Sequence, residues 1–246
     1  MTTTPNDMSQ FAANMPEPWT EDDPLFDKTY WNRPESSPDD RGDDTIGPIY
    51  TAVGFALSQW ETAEVMLADL FLTVCECENS SSYNPVRRAF GSFESSGGRR
   101  KALEEAAAVY FGHYWGDPLT KPFKKLLLAF ERASFRRNEI AHGRAQDVTV
   151  NSTPLGAFLF PASYNTGRNS LFPGSFDESN LFSVLTGEYR YTSATIVGFG
   201  NKFWELAKKL NEYRHAARKV NGTPGHVLAA QLREREKLTA SGHANP

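Results

Sequence analysis

Three apolar stripes, each stepping by three and four residues, most constrain what this chain can fold into. The first spans residues 48–77 and places Val53, Leu57, Trp60, Leu67, Phe71 and Val74 on one helical face. The second spans residues 118–142. Phe123, Leu127, Phe130, Ser134, Arg137 and Ala141 form one stripe there, and Leu128, Phe135 and His142 repeat every seven residues beside it. The third spans residues 192–218 and carries Ile196, Phe199, Phe203, Leu206, Leu210 and Tyr213. An amphipathic helix must bury its apolar face against another element, so three long ones predict a bundle. Shorter helical pieces are expected over residues 85–93 and 98–111, and a short charged helix near 227–238. The expected fold is mainly α, a four- to five-helix bundle over residues 46–220.

Between the second and third stripes the helical period stops. Residues 148–151, 157–160 and 188–191 read as short strands, and Pro154, Pro161, Gly167, Pro173, Gly174 and Gly187 punctuate the loops. Residues 145–190 are too few for a core of their own. They read as a β and loop insertion before the last long helix.

Charge divides the chain. Residues 1–44 hold eleven acids and three bases, a net −8, whereas the whole chain carries −4. The remainder is therefore +4. Residues 1–45 have no sustained period and are rich in Pro, Asp, Ser, Thr and Asn. Such a segment buries too little apolar surface to offset its ordering entropy, so an acidic disordered arm is expected. Phe26, Tyr30 and Trp31 are the groups in it able to dock. Residues 221–246 read as a tail.

The two cysteines, Cys75 and Cys77, sit two apart near a helix end and do not face each other. They also supply too few ligands for zinc, and His113, His215, His226 and His243 lack metal-ligand spacing. No metal or cofactor is expected. No apolar run reaches the ~20 residues a membrane helix needs, and no signal pattern opens the chain. A cytoplasmic protein with no membrane contact is the expectation.

The chemistry-bearing residues gather where the second stripe ends, at Arg136-Arg137-Asn138-Glu139-Ile140-Ala141-His142-Gly143. Arginine grips phosphate oxygens through paired hydrogen bonds, and histidine moves protons near neutral pH. Asn138 and His142 are four apart and hence neighbours on a helix. Gly143 is well placed to cap the helix C-terminus. Glu64, on the first stripe, is costly there unless paired. It sits either at the rim of the stripe or as a buried partner for an arginine. Residues 84–144 hold twelve bases against six acids, a net +6 that suits a phosphate backbone. Arg136, Arg144, Arg99, Arg100 and Lys101 are its candidate phosphate contacts.

Arg137-Asn138-x-x-x-His142 followed by Gly143, closing a bundle helix, resembles the motif of the HEPN superfamily. The order of elements over residues 48–218 is similar as well, with Trp60 and Glu64 on a long first helix and aromatics along the last. The resemblance implies a metal-independent endoribonuclease acting as a homodimer. Arg137, Asn138 and His142 of two chains would then line one cleft. It also implies a setting as a toxin or defence effector, with an antitoxin or regulatory protein as partner. Some members have lost activity and serve as binding or dimerisation modules.

Residue chemistry agrees with the catalytic assignment. Attack of an RNA 2′-hydroxyl on phosphorus needs a base, an acid for the leaving 5′-oxygen and a cation for the phosphorane. His142 can be the base or acid, Arg137 the cation, and Asn138 the group that orients His142 or binds a phosphate oxygen. Five residues on a helix turn Arg137 and His142 roughly 140° apart. A second copy, or unwinding at Gly143, would bring such groups together. Two other readings stand beside this one. One is a catalytically inactive HEPN-like module that binds nucleotide, nucleic acid or a protein partner. The other is a purely structural helical dimer, with His142 serving the helix dipole and Arg137 a buried acid.

Overall fold

The computed structural model describes residues 23–35, 41–113, 117–150, 152–161 and 189–222. Among the described residues there are five α-helices: α1 Ile46–Val74, α2 Tyr83–Gly91, α3 Ser96–His113, α4 Asp117–Ala141 and α5 Ser193–Gly222. Strands β1 Gly143–Val150 and β2 Thr153–Pro161 lie between α4 and α5. The fold is thus mainly helical, with a small two-stranded sheet before the last helix, as the three stripes and the break between them predict. Among the described residues no helix is long and apolar enough to cross a membrane. The expected helix at residues 227–238 lies outside the described residues.

The apolar faces follow the predicted period but not always the predicted residues. The buried apolar positions of α1 include Ile49, Ala52, Ala56, Trp60, Ala63, Leu67, Leu70, Leu72 and Val74. Three of them are alanines, of which a count of large side chains gives no warning. Val53, Leu57 and Phe71, assigned to the same stripe by size, lie only half-buried beside it. The helix then ends in a Schellman motif. Cys77 N donates to Leu72 O and Glu76 N to Thr73 O, with Glu76 at φ 56° where glycine is usual. Cys75 and Cys77 are free thiols just beyond it, and burial together with Cys77 pushes the Cys75 thiol up to about 11.

The chain divides into two compact units. Among the described residues, the first contains residue 23, residues 65–113 and 117–128, and residues 208–222. In its described part, Phe71 stacks on Phe90 at 4.4 Å, and Phe123 lies 5.6 Å from Tyr213. Its buried phenols are satisfied by main chain. Tyr110 donates to Ala217 O at 2.8 Å, and Tyr213 to Leu119 O at 3.0 Å. Asp69 draws in Arg214 at 3.0 Å and Arg87 at 3.5 Å. Glu78 accepts from Thr73 and from the Arg218 guanidinium.

The second unit contains the described residues 24–35, 41–64, 129–150, 152–161 and 189–207. Trp60 is its pivot, 4.8 Å from Phe130 and edge-on to Phe203 at 5.4 Å. β1 and β2 form an antiparallel hairpin, with Gly143 opposite Pro161 and Val150 opposite Thr153. The other edge of β2 is also used: Ala157 bridges to Asp43 and Leu159 to Tyr191. Paired on both edges, β2 is buried from Ala157 to Pro161 and reads as a near-continuous apolar run. Of the strand expected over residues 188–191, residue 188 lies outside the described residues, and the other three show only that bridge at Tyr191.

Two expectations need correction in this unit. Composition assigned residues 1–45 to a disordered arm, yet residues 23–35 fold into two short 3-10 turns, Pro24–Phe26 and Lys28–Trp31. Trp31 is buried, stacks on Phe203 at 6.1 Å, and gives its indole N–H to Leu25 O. Lys202 reaches Tyr30 O at 2.5 Å and covers the Tyr30 ring, while Arg132 donates to Phe26 O. Two large apolar side chains and a set of main-chain carbonyls are enough to hold a segment whose average composition is polar. Gly143, expected as a helix cap in the left-handed region, is instead the first residue of β1. Its lack of a side chain serves close packing: a Cβ there would stand 2.6 Å from Leu159 Cγ.

Candidate functional site at the end of α4

α4 delivers the motif residues at its last turn. His142 N donates to Asn138 O at 3.0 Å, so the helical spacing persists through His142 and does not unwind before it. β1 begins at the next residue. His142 is exposed, and so are Phe135 and Leu128 seven and fourteen residues earlier, at 56% and 43%. The second stripe of α4, expected to be partly covered, therefore faces outward.

Arg137 is engaged rather than free in solvent. Its guanidinium carbon lies 5.2 Å above the Trp60 ring, and Nη2 is 4.0 Å from Glu64 Oε1. Glu64 is buried at 8% and Arg137 keeps a quarter of its side chain exposed. Of the two readings open for Glu64, the partner for an arginine is the one realised. A cation over indole contributes about 1–2 kcal/mol when partly desolvated, and the carboxylate adds direction. The arrangement holds the guanidinium, a quarter of its side chain exposed, at a fixed place.

One densely bonded group of the site lies at a position that the motif leaves unspecified. Glu139 is 5% exposed. Its Oε1 accepts from Arg33 Nε at 3.0 Å and Nη2 at 2.6 Å. Its Oε2 meets Arg136 Nη1 at 3.0 Å and the Tyr191 hydroxyl at 2.5 Å. Its carbonyl accepts from Tyr189 OH at 2.8 Å. Burial, and then the Glu139 charge, push the Tyr191 phenol well above its ordinary value. Arg136 is thus a partner of Glu139 and not an open phosphate contact. The sequence carries one local hint, the three-residue spacing of Arg136 and Glu139 on a helix. Arg33, Tyr189 and Tyr191 are too distant in sequence to suggest it.

The remaining candidates are dispersed. Arg144 is the second residue of β1, exposed, with Nε 3.0 Å from the Gln146 side-chain amide, whose oxygen accepts. Arg99, Arg100 and Lys101 lie in the first two turns of α3, in the other unit. Arg99 donates to Phe93 O, Arg100 lies 3.6 Å from Glu104, and Lys101 is exposed. The +6 stretch therefore spends much of its charge internally, through Arg87, Arg100, Arg136 and Arg137. Among the described residues no three His, Cys, Asp or Glu side chains gather as a metal site requires.

Comparison with protein-family models, with curated proteins and with solved structures gives no significant match for this chain.

Proposed function

We propose that the chain is a metal-independent endoribonuclease of HEPN type, acting as a homodimer on RNA. The observation that carries the reading is the motif turn itself: an exposed His142 held in helical register with an Arg137 fixed by Trp60 and Glu64. In this reading Arg137 neutralises the phosphorane, His142 takes or gives the proton, and Asn138 orients the imidazole or binds a phosphate oxygen. Since the helix does not unwind before His142, Arg137 and His142 stay roughly 140° apart on one chain. A second copy across a twofold axis supplies the complementary pair. The exposed Leu128 and Phe135, on the same stripe as His142, suit such an interface. A role as a toxin or defence effector, held in check by an antitoxin or regulatory protein, is part of this proposal and comes from the resemblance.

The second reading is a catalytically silent module that binds nucleotide, nucleic acid or a protein. What favours it is the commitment of Arg137 to Glu64 and Trp60, which a structural arginine would share. RNA incubated with the purified protein in chelator separates the two. The ribonuclease reading expects cleavage that persists in chelator and falls at least about 100-fold in both Arg137→Ala and His142→Ala. Equal cleavage by those variants refutes it, and binding without cleavage selects the silent module.

A further inference from the structure

Stability alone does not account for Glu139. It sits in the last turn of α4, where the helix dipole favours a cation, and it is buried. A buried ion pair is often no better for stability than packed apolar side chains of similar volume. What its contacts provide is position. Arg136 and Glu139 pair across the turn that holds Arg137 and Asn138. Arg33 grips Glu139 Oε1 with two N–H groups of one guanidinium, and the Tyr191 hydroxyl donates to Oε2. Tyr189 acts on the main chain instead. Its hydroxyl donates to Glu139 O, one of the last carbonyls of the helix, whose donor would be the N–H of a following turn. A phenol thus takes the place of that N–H where α4 gives way to β1.

The groups that hold Glu139 are themselves fixed. Arg33 follows the buried Trp31 by two residues and precedes Pro34, which disfavours helical backbone at Arg33. Its guanidinium carbon lies 5.6 Å over the Tyr189 ring, and Tyr189 stacks on Tyr191 at 4.7 Å. Segments before α1, in α4 and before α5 therefore meet at one residue, all within the second unit. We infer that Arg33 and Tyr189 are positioning residues for the site at the end of α4. Acting through the carboxylate and the carbonyl of Glu139, they set the last turn and with it the places of Asn138 and His142. Their effect on catalysis rests on the ribonuclease reading, and it extends the site to residues far outside the motif.

Two readouts on the full chain test it: RNA cleavage in chelator, and the His142 imidazole NMR signals, assigned by their absence in His142→Ala. Arg33→Ala should lower kcat about tenfold or more with KM within about twofold of wild type, and should shift the His142 signals. Added guanidinium ion should restore both. Arg33→Lys should be impaired less than Arg33→Ala, since an ammonium keeps the charge but not the fork. Tyr189→Phe keeps the stacked ring and should act in the same direction as Arg33→Ala. These two milder variants carry the test if Arg33→Ala does not fold. A rise in KM at constant kcat would make Arg33 an RNA contact and overturn the inference. So would His142 signals that stay in place in every variant. If wild type cleaves no RNA, the ribonuclease reading fails and the His142 signals decide alone: a shift that guanidinium reverses supports the inference, and no shift overturns it.

Discussion

Glu139 occupies a motif position that the resemblance leaves unspecified, yet it binds two arginines and a phenol. A carboxylate that is 5% exposed is expensive unless each oxygen is matched, and here two arginines and a phenol match them. Glu139→Ala leaves Arg33 and Arg136 facing a void without a counter-charge. It should cost about 3 kcal/mol in urea unfolding at neutral pH. A loss within experimental error of zero would mean the network carries no net stability. Sequence reading could not find this group. One of its partners is three residues away, but the others are 106 and 52 residues away. Arg137 and Glu64 were more legible, because a carboxylate on one apolar stripe and an arginine on another invite pairing.

At the scale of elements, the helices were readable because burial imposes a period that large apolar side chains record. What they conceal is the small side. Ala52, Ala56 and Ala63 line the buried face of α1, and alanine looks the same on either face of a helix. The start of β1 was hidden because a glycine after a helix signals a stop, whereas Gly143 is there for close approach to Leu159. The end of α1 offers a pH test. Burial raises the Glu78 carboxyl, but hydrogen bonds from Arg218 and Thr73 outweigh it and hold the group below its ordinary 4.5. A depressed carboxylate contributes its stability fully above pH 4.5, and that contribution is lost as pH falls through the lower folded value. Wild type should therefore exceed Glu78→Gln in stability at pH 7 and lose that margin near pH 3. Denaturant midpoints at the two pH values check it. A margin that is constant with pH would contradict the assignment.

For the whole molecule, the mainly helical architecture followed from patterning, but the extent of the folded chain did not. Composition averages over residues 1–45, and the average is polar. A handful of residues decide the outcome instead: Leu25 and Trp31 are buried, Arg33 holds Glu139, and Asp43 anchors Ser193. The second unit thus includes residues that a charge count assigns to a solvated tail. Trp31→Ala removes a ring stacked on Phe203 and should cost about 3–5 kcal/mol, read as a drop in thermal or denaturant midpoint. A cost below about 0.5 kcal/mol would place Trp31 at the surface.

Between the end of α4 and the first residue of β1 stands His142 alone. A connection one residue long stores no spare contour. With its amide still bonded to Asn138 and its neighbour Gly143 pressed against Leu159, the backbone of this histidine is tethered from both sides. Any relocation of the imidazole must come from rotation about its own two side-chain bonds. A larger excursion would have to drag the hairpin out of register, so adding a single residue after His142 would sever the helix from the sheet as a mechanical unit.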